Sequence, residues 1–468
     1  MSEGGGGNLI ALGVIQVFRM ASGLVINVLV MQGLGVEGFG IYGYINILVG
    51  LASFGSNLGM DRLLKREISR DESLTGHYVA TGLAASALLS GLTGAGILAW
   101  AQVMDGRPEV LTAAALASLA LLFQTLALVP VSAFHAVQRM GHTVHGNAVG
   151  RLVLVGATAA FLGLKLGVAA VFAAQVLDAL VNLTVVGWMY RRHLGGYALQ
   201  TKMKDVWELI RTSTPFGLNA LFVSIYLTVD VILLANLRDD HETGIYRGAV
   251  MLLSLFPIVA DTLSTGLYPR MSRLWGKKEE AGEELRFLGR VLLAISVPAA
   301  VGGLLTAEPL LVFLGGPDFQ ASALPFMVMV PLLPMRYLNN AFGMTMSALN
   351  RQEDRTRGAI YAAVVNIGVN LYAIPAYGAL GAAFTTLLTE ILLLIFMRWR
   401  IMPLVSGLGL GRSLIRVGLP AAAMAAVILL LPPLHVLITI LIGGGVYAGL
   451  GILSGAWHPR DLRQLRKV

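Results

Sequence analysis

Val79 to Val103 reads VATGLAASALLSGLTGAGILAWAQV, twenty-five consecutive residues without a charged side chain. As a helix rising about 1.5 Å per residue, such a stretch crosses a hydrocarbon core of about 30 Å. Arginine and lysine crowd its N-terminal flank, at Arg62, Lys65, Arg66 and Arg70, while its C-terminal flank carries Arg107 alone. The same apolar texture returns along the whole chain, for example from Ala421 to Leu453, broken at Pro432-Pro433. Of 468 residues, 56% are hydrophobic and 13% charged, with mean hydropathy +0.74. A soluble domain carries about a quarter charged residues, so the bilayer is the solvent here. A closed β-barrel needs strands of about ten residues alternating apolar and polar, and no such alternation occurs. The expected fold class is all-α: a polytopic membrane protein of about fourteen transmembrane helices. No hydrophilic stretch exceeds about 25 residues, too few for a core of its own.

Apolar runs bounded by charge clusters and Gly/Pro breaks place spans near 8–32, 39–61, 78–103, 111–135, 144–163, 168–189, 214–237, 244–268, 286–306, 319–348, 358–376, 378–397, 414–432 and 435–455. The N-terminal MSEGGGGN lacks a basic region and a cleavage site, so the first run is expected to stay as a span. With basic residues assigned to alternate loops, twenty-eight fall on one side, Arg62 and Arg151 among them, and three on the other: Arg107, Lys165 and Arg238. Cytoplasmic loops carry the excess of basic residues. Both termini are therefore expected in the cytoplasm, and the chain in the cytoplasmic (inner) membrane. The net charge of +8 is a topology signal, and no nucleic-acid partner is expected. The two longest basic loops, Arg191 to Arg211 and Arg270 to Arg290, contain Trp207, Leu209, Ile210, Leu274 and Trp275. They read equally as interfacial helices on anionic lipid or as solvated loops.

The halves repeat. Gly40-Ile41-Tyr42 recurs as Gly244-Ile245-Tyr246, and Ala170-Val171-Phe172 followed by Asp178 recurs as Ala382-Ala383-Phe384 followed by Glu390. Span n thus matches span n+6. Because six is even, the repeat is parallel. The expected division is an N-lobe at 1–213 (spans one to six), a C-lobe at 214–400 (seven to twelve) and a C-terminal pair with tail at 401–468.

Three arginines sit within spans: Arg19, Arg247 and Arg336. Each costs at least about 2.5–3.5 kcal/mol to insert, which points to compensation by a carboxylate or by an anionic ligand. A guanidinium fork matches phosphate and diphosphate in geometry as well as charge. Four carboxylates share the membrane with them: Asp178, Asp230, Asp261 and Glu390. Asp230 and Arg247 are candidates to pair. Asp178 and Glu390 read either as carriers of a coupling proton or sodium ion or as helix-joining partners of Gln175, Asn182 or Thr386. His135, His142 and His145 have no carboxylate or cysteine beside them, so a metal site is not expected. Cysteine is absent, no GxxxxGK[ST] phosphate loop exists, and no nucleophile setting or HExxH appears. Neither an enzyme nor a cofactor protein is expected, and with no motor built in, the drive is left to a proton or sodium gradient, the membrane potential or downstream consumption.

Leu314-Gly-Gly-Pro-Asp-Phe319, Leu349-Asn350-Arg351 and the run from Val365 to Ala383 (VNIGVNLYAIPAYGALGAA) resemble the polysaccharide biosynthesis (Wzx-type) flippases of the multidrug/oligosaccharidyl-lipid/polysaccharide exporter superfamily. Leu34 to Tyr42 with Leu58 to Arg62, and the seventh span with Pro215, Gly217, Tyr226 and Asp230, resemble the same family. The resemblance implies two six-helix lobes and alternating access. It also implies transport of a polyprenyl-diphosphate-linked oligosaccharide to the outer leaflet for cell-surface polysaccharide synthesis, with polymerase or assembly proteins as further partners. In related flippases of murein precursor, arginines of the first and eighth spans line the cavity. Arg19 and Arg247 match those places, and Arg336 is added on its position within a span. The alternative is a cation-coupled multidrug exporter of the same superfamily, for which Asp178, Asp230 and Glu390 would have to dominate the cavity. A membrane-embedded glycosyltransferase would need a long outward loop with catalytic carboxylates, and the outer loops are short.

Overall fold

The structure, a computed structural model, describes residues 4–196, 201–406, 409 and 411–456, with side chains described outside 4–17, 145, 215–223, 225–227 and 412. Arg460, Arg463, Arg466 and Lys467, and the side chains of His145, Pro215, Tyr226 and Arg412, lie outside the described residues. Among the described residues all regular structure is helical. The chain divides into two compact units, Met1–Asn236 and Leu237–Val468. The first holds α1 (Gly4–Asn57), α2 (Met60–Arg70), α3 (Thr75–Met104), α4 (Pro108–Ala136), α5 (Gly141–Gly163), α6 (Gly167–His193) and nearly all of α7 (Met203–Leu237). The second holds α8 (Asp240–Leu253), α9 (Pro257–Ser272), α10 (Lys278–Gly315), α11 (Ala323–Met329), α12 (Leu332–Ala348), α13 (Gln352–Ile401), α14 (Gly411–Leu430) and α15 (Val436–Ser454).

Ten of the described helical segments are long and apolar enough to cross a bilayer, eleven when the bent pair α11–α12 counts as one span. The chain is a multi-pass membrane protein. Two of these segments are double: α1 has 54 residues and α13 has 50, about 75–80 Å if straight, more than twice a hydrocarbon core of about 30 Å. Each breaks at one glycine with positive φ, Gly35 (φ 68) and Gly378 (φ 56), a conformation that costs glycine little. With both divided and α7 added, the helices are consistent with the fourteen expected spans.

The break in α13 leaves carbonyls at the end of its first half and N–H groups at the start of its second without helical partners. Residues flanking the start of α8 satisfy both. Arg238 donates from Nε to the Ile374 carbonyl at 3.0 Å, and Glu242 accepts from the Ala379 N–H at 2.7 Å. The cation thus meets the negative end of one half-helix and the carboxylate the positive end of the other. Two of the three basic residues expected on the sparse side are therefore committed locally. Arg238 is one. Arg107 is the other, donating from Nε and Nη2 to Asp105 at 2.7 and 2.6 Å and holding that carboxyl below its usual range.

Repeat-related residues make related contacts. In the first unit the rings of Tyr42 (α1) and Phe172 (α6) lie 5.7 Å apart. In the second, the Tyr246 hydroxyl (α8) is 3.1 Å from that of Thr386 (α13), two residues beyond Phe384. The core of the first unit joins Met60, Leu64 and Ile68 of α2 to Phe134 and Tyr190, and that of the second joins Leu288, Tyr337, Phe342 and Met397. The appended hairpin α14–α15 packs on α10, where the Tyr447 hydroxyl donates to the Ala294 carbonyl at 2.7 Å.

The two long basic loops are shorter than expected. Residues 203–214 are the first turns of α7, and Val206, Leu209 and Ile210 are buried in the core of the first unit while Trp207 points outward. The helical alternative holds for this segment, but its apolar face packs into the protein core instead of lying on lipid. Between α9 and α10 only residues 273–277 lie outside helix, with Trp275 exposed.

Candidate functional site

The first unit contains an open cavity of about 560 Å3, walled by α1, α2, α4, α5 and α6. Its lining mixes apolar side chains with charged and amide ones. Arg19, Arg62, Arg151, Asp61, Asp178 and His135 contribute titratable groups, and Asn57, Gln124, Asn147 and Asn182 contribute amides. Intramembrane charges are costly and cluster where a water-filled path needs them.

Local sequence explains how the cationic wall is built. On α5, Gly146 and Gly150 form a GxxxG pair, which lets a neighbouring helix approach closely. The approaching helix is α6: Asn182 and Val186 fill the space over Gly146, and Asp178 fills the space over Gly150. This contact sets Asp178 beside Arg151, the next residue on α5. The Asp178 carboxylate interacts electrostatically with both Arg151 and Arg19. At the other end of the cavity Asp61 is already engaged, with Lys65 Nζ at 3.3 Å and Asn57 Nδ2 at 2.9 Å. The Ser56 and Thr125 hydroxyls, 3.2 Å apart, tie α1 to α4. The lining carries three arginines against two aspartates, a net charge of +1 with His135 neutral. Lys65 further offsets Asp61. The cavity therefore suits an anion flanked by hydroxyl- or amide-bearing groups.

Of the residues expected from sequence, Arg19 and Asp178 share this cavity. Arg336 and Glu390 meet in the second unit, Arg336 Nε donating to Glu390 Oε1 at 2.9 Å while Asn339 Nδ2 donates to Glu390 Oε2 at 2.9 Å. Asp261 of α9 accepts from Asn340 Nδ2 of α12 at 2.5 Å. Arg247 is partly buried on α8 and Asp230 is buried on α7, in different units. Gln175 is bonded to Asn46 of α1 at 3.2 Å. The His142 ring lies tilted against those of His193 and Phe134, with centroids 4.3 and 5.4 Å apart. Among the described residues no group of three or more His, Cys, Asp or Glu side chains is arranged to hold a metal.

Two arginines counted in loops are corrected. Arg151 lies mid-way along α5 and Arg62 in the first turn of α2, and both line the cavity. The signal for Arg151 was present, since it falls inside the expected span 144–163. For Arg62 there was none, because a helix resuming after a left-handed Leu58-Gly59 turn cannot be told from a loop by hydropathy.

The sequence profile described as polysaccharide biosynthesis protein matches residues 6–275, and a second profile, described as MatE, matches 215–372. A probable low-salt glycan biosynthesis flippase of Haloferax volcanii is 20% identical over 364 residues, 76% of this chain and 75% of that protein. Among solved structures, a lipid II flippase in an inward closed conformation superposes with TM-score 0.78 at 16% identity, covering 97% of this chain and 99% of that one. An inward-facing multidrug resistance transporter of the MOP superfamily gives TM-score 0.66 at 14% identity over 85% and 98%. The fold is that of these transporters.

Proposed function

Because the chain belongs to the polysaccharide biosynthesis protein family, and is a flippase-type transporter of the MOP superfamily, we infer that it moves a polyprenyl-diphosphate-linked oligosaccharide across the cytoplasmic membrane by alternating access. The observation that carries this reading is the net positive, amide-rich cavity of the first unit. Arg19, with Arg151 and Arg62, receives the diphosphate through charge-assisted bidentate hydrogen bonds, and Asn57, Gln124, Asn147 and Asn182 serve the sugars. Arg247 and Arg336 are the anion-binding candidates of the second unit, Arg336 sharing its charge with Glu390. The prenyl chain stays in lipid. Both termini face the cytoplasm, on the charge bias of the loops.

Among the four intramembrane carboxylates, Asp178 is the one assigned to ion coupling, by proton or sodium, because it faces the cavity. Glu390 and Asp261 are committed to Arg336, Asn339 and Asn340, and Asp230 is buried in α7. The likeness to the multidrug transporter supports the alternative of cation export, but a cationic drug would meet like charge at Arg19 and Arg151.

The test uses the full chain in vesicles loaded with a fluorescent polyprenyl-diphosphate oligosaccharide, leaflet exchange being read by quenching. Arg19→Ala is expected to slow exchange about tenfold or more, the worth of one hydrogen bond to a charged group, and Arg19→Lys less. If both retain the full rate, the anion-site reading is wrong.

A further inference from the structure

Arg351, Arg355 and Arg357 stand at the start of α13 and Arg398 and Arg400 at its end, and folding α13 back at Gly378 brings the two ends together. Arg351 Nε donates to Asp354 Oδ2 at 2.9 Å, Arg400 Nη2 donates to Asp354 Oδ1, and Arg357 approaches the same carboxylate at 3.9 Å. Asp354 is 3% exposed. The ends lock further through Gly358, over which Phe396 and Met397 lie. Arg355 crosses Gly343 of α12 and reaches the Ser347 hydroxyl at 3.4 Å.

Five arginines (Arg351, Arg355, Arg357, Arg398 and Arg400) and two carboxylates, Glu353 and Asp354, stand at this end of the hairpin, a net charge of +3. One buried carboxylate cannot satisfy three guanidinium forks. The side chains of Arg351 and Arg357 are 49% and 59% exposed, and Arg357 Nη2 also meets the exposed carboxylate of Glu353 at 3.6 Å, a contact open to solvent and to a competing anion. Directly beside them begins an apolar stripe. Trp399, Ile395, Leu392, Leu388 and Phe384 project outward at helical spacing along the second half of α13. In a multi-pass membrane protein such an exposed stripe faces acyl chains. Trp399 marks headgroup level, where its amphipathic ring sits, and Arg400 lies 5.4 Å from that ring.

We propose that the paired ends of α13 form a binding site for an anionic phospholipid, its phosphate held by Arg351, Arg357 and Arg400 and its acyl chains laid along the stripe above Trp399. The site is separate from the cavity of the first unit and does not depend on what the protein transports. Charge complementarity selects the occupant. A zwitterionic lipid brings a cation that these arginines repel, and a free phosphate gains nothing from the apolar stripe. The lipid would fasten the two ends of α13 from outside, where Asp354 fastens them from within.

The experiment embeds the full chain in nanodiscs of phosphatidylcholine containing about one-tenth phosphatidylglycerol, and counts lipids retained by mass spectrometry after detergent exchange. Wild type is expected to retain phosphatidylglycerol over phosphatidylcholine. Arg357→Gln, which leaves Arg351 and Arg400 on Asp354, is expected to lower that retention about fivefold, the worth of one basic residue near a charged surface. Glu353→Gln removes a competing charge and is expected to raise it. Arg70→Gln removes an exposed arginine elsewhere and is expected to leave it unchanged. Equal retention in wild type, Arg357→Gln and Glu353→Gln overturns the proposal, as does an equal loss in Arg70→Gln, which would mean a diffuse field rather than a site.

Discussion

Arg336 and Glu390 close a 2.9 Å ion pair inside the second unit, whereas Asp178, the repeat-related counterpart of Glu390, faces an open cavity in the first. The two matching carboxylate positions thus serve different ends, one an ion pair and one a cavity wall. With Glu390 only 4% exposed and its other oxygen on Asn339, the pair holds α12 to the second half of α13.

Breaking that pair one partner at a time is expected to destabilise the chain by about 3–5 kcal/mol, because a buried charge is left uncompensated. Arg336→Met or Glu390→Met alone should lower the thermal unfolding midpoint in detergent, and the double variant should recover most of the loss. A double variant no better than the singles would show that the two residues act separately.

The close approach of α5 and α6 predicts a contrast between two glycines of α5. A Cβ at Gly150 would collide with Asp178, whereas one at Gly156 meets nothing within 4 Å. Gly150→Ala is expected to cost about 1–3 kcal/mol through overpacking and to displace Asp178 from Arg151. Gly156→Ala should be neutral or slightly stabilising. Unfolding midpoints of the two variants compare them directly.

At the break in α13, Glu242→Ala removes the acceptor of the Ala379 N–H, an expected loss of about 1–3 kcal/mol. Gly378→Ala should be worse, since alanine meets the Glu242 carboxylate as well as an unfavourable φ. Proteolysis between α12 and α14 in detergent would detect loosening of the hairpin. Unchanged digestion in both variants would remove Glu242 from this role.

Opposite changes of charge in the cavity should act oppositely on a soluble diphosphate-bearing analogue. Arg151→Gln is expected to weaken its binding and Asp178→Asn to tighten it, each by about fivefold at low ionic strength and less as salt screens the interaction. Calorimetry at two salt concentrations reads both. A shift of the same sign in the two variants would contradict an electrostatic anion site.

Much was legible in the chain because the bilayer imposes simple rules. Apolar length sets the spans, loop charge sets their expected sense, and Gly40-Ile41-Tyr42 recurring as Gly244-Ile245-Tyr246 exposes the repeat. The cost of an intramembrane charge was enough to single out Arg19 and Asp178. The remainder depends on which helices lie side by side, and hydropathy carries no information on neighbours. Only the tertiary structure could show that Gly146 and Gly150 admit α6 and so place Asp178 beside Arg151, or that Arg351 and Arg400 share one buried Asp354. Only it shows that Val206 and Ile210 belong to a packed helix. Sequence determined what must enter the membrane. Packing decided which of the charges carried in with it are neutralised and which face a cavity, because an ion pair is made by distance and no pattern along the chain encodes that.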